Sequence, residues 1–289
     1  DFVLIGATTR DPGELNPALR SRCAEVYFVP LEPAHIIDIV RQAARKLNVC
    51  LEDNIPEIIS EYVIEGRKAN NILLDAYGLA KFKNPGEKEV VITEEEVREV
   101  LRAARLTPYI HNKATQGADI GRILGLGVSG FLGSVLEIEV KAFSGREGKG
   151  SIRFNETAGS MARDAVFNAA AVIRSLTGED INNYDLHVNV VGGGRIDGPS
   201  AGLATTMAIY SALKECPLKK DIAVTGEISI QGKVKPVGGI YEKIFGAKQA
   251  GVGTVVIPEE NLKEVPSGLK GIQVLGVNNI EEAIKLAKA

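Results

Sequence analysis

The sequence is poor in several residue types that would point to particular classes of protein. Its three cysteines, Cys23, Cys50 and Cys216, are few, odd in number and far apart, which argues against a disulfide framework and a cysteine zinc site. Such cysteine usage suits a reducing compartment, and we expect a cytoplasmic protein. No apolar run approaches the roughly 20 residues that span a bilayer, and no signal peptide is visible. The net charge of −3 gives no reason to expect a nucleic-acid partner.

Glycine, in contrast, is abundant, and five of the 31 glycines lie in one short stretch between a predicted strand over 185–191 and a predicted helix over 203–213. This stretch reads GGGRIDGPSAG from Gly192 to Gly202. It is not a phosphate-binding loop, because Pro199 stands where such a loop has lysine and Asp197 would repel a phosphate. Two interpretations remain. Either Ser200 caps the helix after a tight turn, or Ser200 is a nucleophile held at the positive end of the helix.

A nucleophilic serine needs a base, and the chain has only the histidines His35, His111 and His187. The first lies far upstream in an amphipathic helix, the second lies near a domain junction, and the third reads as a supporting residue on the preceding strand. A lysine can replace histidine as the base. Lys243 is a candidate, because it lies in the first turn of a predicted helix that follows a Gly-Gly turn.

Three motifs together resemble the proteolytic domain of Lon proteases. They are DGPSAG at 197–202, TGE at 225–227 and GGIYEK at 238–243, and the separation of 43 between the numbers of Ser200 and Lys243 fits that family. The resemblance implies a Ser–Lys catalytic dyad of Ser200 and Lys243. It further implies supporting roles for Thr225, for Asp197 in the loop, and for Glu139 on an early strand.

The first thirty residues resemble the end of an AAA+ ATPase core. An apolar run over 2–7 predicts a central strand of a parallel sheet. The resemblance implies that Thr8, with Thr9 as second choice, senses the nucleotide phosphate at the end of this strand. It implies that Arg22, with Arg20 as second choice, is an arginine finger. The Walker motifs are not in this chain, so we expect it to be a fragment of a longer protein.

Residues 31–107 show helical spacing of apolar residues, with a capping box predicted at Thr93 and Glu96. This part resembles the helical AAA+ lid, in which Arg67 would contact nucleotide as the sensor-2 arginine. A solvated arginine at a helix N-terminus is the plainer interpretation. From 108 to 289 strands and helices are mixed, which predicts an α/β domain. The resemblance specifies the Lon proteolytic fold, which is ribosomal-S5-domain-2-like.

The expected protein is therefore an ATP-dependent serine endopeptidase that degrades unfolded or damaged proteins, and its motifs look closer to bacterial LonB-type proteins than to archaeal membrane-anchored ones. The resemblance implies a homo-oligomeric, hexameric ring and, for the full-length protein, ATP and Mg²⁺. The peptide-bond chemistry itself would need no metal or cofactor. The alternatives are an ATP-independent Lon-like peptidase and a non-proteolytic AAA+ remodelling or binding module.

Overall fold

The computed structural model describes residues 3–8, 15–26, 28, 31–86, 89–108, 113–129, 132–145, 148–155, 160–191 and 198–289. The chain divides into two compact units, Asp1–Pro30 and Leu31–Ala289. No helix among the described residues is long and apolar enough to cross a membrane.

The first unit contains one short helix among its described residues, α1 (Pro17–Arg20), which Asn16 caps by accepting a hydrogen bond from the Ala18 amide at 2.9 Å. The prediction of a strand over 2–7 is wrong for residues 3–7, which have no regular structure. Val3, Leu4 and Ile5 are exposed. A central strand needs hydrogen bonds to neighbouring strands on both edges, and no strand among the described residues pairs with residues 3–7.

The second unit begins with a helical part whose elements agree with the predicted periodicity. Its elements are α2 (Pro33–Leu47), β1 (Cys50–Leu51), α3 (Ile55–Tyr62), α4 (Gly66–Lys83), β2 (Val91–Ile92) and α5 (Glu94–Ala103). The apolar faces of these helices share one buried cluster, and β1 pairs with β2 in parallel. The predicted capping box is confirmed: the Thr93 amide donates to Glu96 at 2.9 Å, and the Thr93 hydroxyl bonds the same carboxylate.

The rest of the second unit contains the strands β3 (Ala118–Asp119), β4 (Arg122–Ser129), β5 (Leu132–Ser144), β6 (Ile152–Phe154), β7 (Tyr184–Val191), β8 (Leu218–Lys219), β9 (Ile222–Val224), β10 (Glu227–Ile228), β11 (Val234–Lys235), β12 (Thr254–Pro258) and β13 (Gln273–Val277). Seven of them form a mixed sheet with the order β13-β12-β9-β4-β5-β7-β6, while β3 pairs with β8 and β10 pairs with β11. Its helices are α6 (Ser160–Thr177), α7 (Gly202–Lys214), α8 (Ile240–Gln249) and α9 (Ile280–Ala287), with 3-10 helices at Ile181–Asn183, Pro199–Ala201 and Glu259–Glu264. The predicted α/β architecture of this part is confirmed.

Alternation along β5 sends side chains to two separate cores. Leu136, Ile138 and Val140 are buried in a cluster that includes residues of α6, α7 and α9. Val135 points the other way, into a cluster that includes residues of α8 and β12. The period of two along a strand produces this division. The bodies of α7 and α8 therefore pack on opposite faces of the sheet. Ser200 and Lys243 both lie at the N-terminal starts of these helical segments, and the 3-10 helix of Ser200 and α8 both contact β4.

Candidate active site

Ser200 lies at the point where the glycine-rich stretch enters a helix. It is the second residue of the 3-10 helix Pro199–Ala201, which runs directly into α7. Pro199 suits the first helical position, because its fixed φ matches the helix and its missing N–H has no intrahelical partner there. Ser200 is half-buried, whereas Ala201 and Gly202 behind it are buried. The serine thus sits at the N-terminal end of a helical segment, as predicted.

The Thr225 segment is hydrogen-bonded to the serine turn. The Gly226 amide donates to the Ser200 carbonyl at 3.0 Å, and the Leu203 amide donates to the Gly226 carbonyl at 3.0 Å. The Thr225 hydroxyl also reaches the Ser200 carbonyl, at 3.4 Å, and its side chain is fully buried. These hydrogen bonds join the Ser200 turn to a segment 25 positions further along the chain, and the Thr225 side chain contacts the backbone of Ser200.

Lys243 is buried, which is unusual for a lysine. It lies in the first turn of α8, where its amide donates to the Gly239 carbonyl at 3.0 Å, and it is only 3% exposed. Gly239 precedes the helix in the left-handed region, with φ +69°, so glycine is the natural residue there. Burial lowers the pKa of the Lys243 amine from its ordinary 10.5 to about 8, although the neighbouring Glu242 carboxylate opposes the shift. About a tenth of this amine is therefore neutral at pH 7 and about half at pH 8, whereas an ordinary lysine is almost wholly protonated at both.

Glu139 lies on β5 in a half-buried polar group on the sheet. It accepts a hydrogen bond from the Asn189 side chain at 3.2 Å. Beside it Arg122 pairs with Glu137 at 2.6 Å, and this contact lowers the pKa of the Glu137 carboxyl. Sequence reasoning missed this ion pair. The signal was present in the antiparallel register of β4 and β5, but register cannot be read from one strand alone.

The two histidines that the structure describes, His187 and His35, make structural contacts. His187 is exposed on β7, with its ring edge against Phe143 at a centroid distance of 5.5 Å. His35 accepts a hydrogen bond from the Glu32 amide at 3.2 Å and so completes a capping box at the start of α2. His111 lies outside the described residues, as does Asp197. The role of Asp197 stays a prediction.

The three residues predicted to sense nucleotide are all exposed. Thr8 and Arg22 belong to the first unit, and Arg67 lies in the first turn of α4 in the second. Arg22 donates to the Ala18 carbonyl at 2.7 Å, and the second-choice Arg20 forms an ion pair with Glu25 at 2.6 Å. Thr9 lies outside the described residues. In the described part of the chain, no group of three or more histidine, cysteine, aspartate or glutamate residues is arranged to hold a metal ion.

Comparison with known proteins gives a consistent result. Residues 91–289 match the model of the Lon protease (S16) C-terminal proteolytic domain. The chain is 38% identical to Lon protease 2 of Bacillus subtilis (strain 168), over 98% of this chain and 53% of that protein. It is 33% identical to the archaeal Lon protease of Pyrococcus abyssi, over 99% of this chain and 33% of that protein. It is 32% identical to the archaeal Lon protease of Thermococcus kodakarensis, over 99% of this chain and 51% of that protein. The chain thus spans between a third and about half of the length of these relatives.

Proposed function

Because this chain belongs to the Lon protease family of serine peptidases, we propose that it cleaves peptide bonds with Ser200 as nucleophile and Lys243 as general base. The observation that carries this proposal is the burial of Lys243, which lowers the pKa of its amine to about 8. A lysine with its ordinary pKa near 10.4 is almost wholly protonated at neutral pH and cannot accept a proton. At pH 8 about half of an amine with this lowered pKa is neutral.

The proposed reaction runs in two halves. The Ser200 Oγ bonds to the carbonyl carbon of the scissile peptide while its proton passes to the neutral Lys243 Nζ. The tetrahedral intermediate then expels the amine product, which takes that proton from the Lys243 ammonium, and an ester of Ser200 remains. A water molecule attacks this ester and gives its proton to Lys243. The second tetrahedral intermediate expels the Ser200 Oγ, which recovers a proton from Lys243, and the acid product leaves.

Negative charge on the carbonyl oxygen needs hydrogen-bond donors at the start of the helix. Pro199 has no N–H and cannot be one of them. We assign this role to the Ala201 amide, since the residue after the nucleophile commonly supplies one donor. Hydrogen bonds from Gly226 and Thr225 to the Ser200 carbonyl hold the turn that orients this amide. Asp197 and Glu139 are proposed as supporting residues that order the loop and the adjoining strand.

In the longer protein we propose that peptide cleavage is coupled to ATP. The first unit and the helical part would be the end of an AAA+ core and its lid, with boundaries at 1–30, 31–107 and 108–289. The guanidiniums of Arg22 and Arg67 are exposed, and their chemistry suits a triphosphate. With Thr8 they would contact ATP and Mg²⁺ held mainly by Walker motifs that are not in this chain. Unfolded proteins drawn into a cytoplasmic hexameric ring are the proposed substrates.

Two substitutions test the dyad with a fluorogenic peptide that needs no unfolding. Lys243→Arg should abolish cleavage, because a guanidinium stays protonated and cannot act as a base. Ser200→Ala should reduce kcat at least ~10³-fold. In the unmodified protein kcat/KM should rise with pH through an apparent pKa near 8.

Exposed Lys285 on α9 supplies the matched control, and Lys285→Arg should retain full activity. A serine-directed phosphonate should label Ser200 and fail on Ser200→Ala. Substantial cleavage by Lys243→Arg would remove Lys243 as the base. ATP turnover without peptide cleavage by the longer protein would favour a remodelling or binding module, and cleavage of unfolded chains without ATP would favour an ATP-independent peptidase.

A further inference from the structure

The backbone of α8 touches the backbone of β5 at two glycines. A Cβ added to Gly133 on β5 would stand 1.8 Å from the Glu242 carbonyl oxygen and 2.5 Å from its carbonyl carbon. A Cβ added to Gly246 on α8 would stand 2.5 Å from both the carbonyl carbon and the oxygen of Gly133. Cβ atoms are essentially never found closer than 3.0 Å to such atoms. Helix and strand therefore pack this closely only because both positions lack a side chain.

The first of these contacts involves the peptide bond between Glu242 and Lys243. The added Cβ at Gly133 would also lie 3.0 Å from the Lys243 amide nitrogen. Moving the Glu242 carbonyl oxygen from 1.8 Å to an ordinary contact of 3.4 Å takes about 1.6 Å of displacement. Because the obstacle is main chain on both sides, a change of rotamer cannot relieve it. A methyl group at this position must move the first turn of α8, and Lys243 with it.

The start of α8 also rests on the neighbouring strand. Val128 on β4 is the register partner of Gly133, and a Cβ at Gly239 would stand 2.7 Å from the Val128 Cγ2 atom. Gly239, which precedes α8, therefore packs against one strand while Gly133 and Gly246 join the other. The helix is held against this end of the β4–β5 pair over its first two turns.

We propose that Gly133 and Gly246 are positioning residues of the peptidase, whose missing side chains set the depth at which α8 carries Lys243 into the sheet. This inference rests on the proposed function, since it concerns the base of the same site. Glycine inside a helix costs up to about 1 kcal/mol relative to alanine, so Gly246 needs a packing reason. The close approach to Gly133 supplies that reason.

The depth of α8 controls the chemistry of the lysine amine. Desolvation is the main cause of the lowered pKa of Lys243. Of the described charged groups on α8, on β4 and β5, and on the 3-10 helix Glu259–Glu264, Glu242 is the one that acts on this amine, and it raises the pKa. If α8 moves outward, water reaches the amine and desolvation weakens. The pKa should then return towards 10.5 while the reacting atoms lose their alignment.

The test compares Gly246→Ala and Gly133→Ala with Gly78→Ala in the full chain. Gly78 is the matched control, because it also lies inside a helix but an added Cβ would meet nothing within 4 Å. The pKa of the Lys243 amine is measured by NMR on protein with ¹³Cε-labelled lysine, its signal being assigned by loss in Lys243→Met. Cleavage of the fluorogenic peptide gives kcat and KM across the same pH range, and circular dichroism confirms folding.

We expect the pKa of Lys243 to rise in both alanine variants and the pH–rate profile to move with it. A displacement of 1 Å or more should lower kcat about 100-fold or more, with a smaller change in KM, while Gly78→Ala matches the unmodified protein. A folded Gly246→Ala in which the pKa of Lys243 and kcat are both unchanged overturns the proposal, as does a loss of kcat with no movement of that pKa. If Gly133→Ala does not fold, Gly246→Ala decides. If the unmodified protein does not cleave the peptide, the Ser200–Lys243 dyad is refuted. The NMR titration still tests whether Gly133 and Gly246 set the depth of α8.

Discussion

Replacing Lys243 with methionine should stabilise the protein at neutral pH. Methionine matches the length of the lysine stem and carries no charge, so it removes the cost of burying an ammonium. The pKa of the amine falls from 10.5 to about 8 on folding. Each unit corresponds to about 1.4 kcal/mol, so the charged amine destabilises the folded chain by about 3 kcal/mol at pH 7.

The effect has a defined pH window. Between pH 8 and 10.5 the unfolded chain binds a proton at Lys243 that the folded chain has released, so the free energy of unfolding rises with pH. Below pH 8 both states are protonated and the full cost remains. Lys243→Met lacks this titration. The variant should therefore exceed the parent by up to about 3 kcal/mol at pH 7, and most of that advantage should disappear by pH 10.5.

Urea unfolding followed by circular dichroism at several pH values measures the difference. Both proteins should carry Ser200→Ala, so that unfolded chains are not digested during the experiment. Hydrogen exchange of peptides covering β5 and α8 assigns the transition to this part of the chain. Lys285→Met on the exposed face of α9 is the control and should not reproduce the change. An advantage that is equal at pH 7 and 10.5 would refute the desolvation of Lys243.

Two further substitutions probe the surroundings of the site. Thr225→Val keeps the buried shape but removes the hydroxyl that donates to the Ser200 carbonyl, so kcat should fall roughly 3–10-fold with a smaller change in KM, measured with the fluorogenic peptide. Arg122→Met leaves the half-buried Glu137 carboxylate unpaired and should lower the free energy of unfolding by about 1–3 kcal/mol at pH 7. That loss should shrink in acid as Glu137 protonates, whereas Arg98→Met, at an exposed ion pair, should cost less than about 0.5 kcal/mol. Equal losses of unfolding free energy in Arg122→Met and Arg98→Met would contradict the claim that burial strengthens the Arg122–Glu137 pair.

Regular elements of the second unit were predictable because their patterns are local. The strand predicted over 185–191 is one residue longer at its start, and the helix predicted over 203–213 is one residue longer at each end. The capping box at Thr93 is equally local. In contrast, the apolar run over 2–7 has the composition of a buried strand, but composition does not supply the neighbouring strands that hydrogen bonding requires. Patterns that depend on partners are therefore the ones that failed.

The candidate site shows the same division between local and distant information. The motif around Ser200 and the glycines before α8 predict a serine at one helix start and a lysine at another. Neither motif predicts that the lysine is 3% exposed, because its burial depends on how closely α8 approaches β5. That approach depends on Gly133, which lies 110 positions before Lys243 and belongs to none of the three motifs.

A base made from lysine therefore places demands on parts of the chain that take no part in the chemistry. A histidine has an ordinary pKa near 6.5 and can act as a base at the surface, but a lysine must lose water before it can accept a proton. Desolvation needs close packing on every side, and here the packing includes direct contact between main chains at Gly133 and Gly246. We therefore expect mutations that loosen this contact to impair cleavage through the protonation state of Lys243, even when Ser200 and its hydrogen bonds to the Thr225 segment are unchanged.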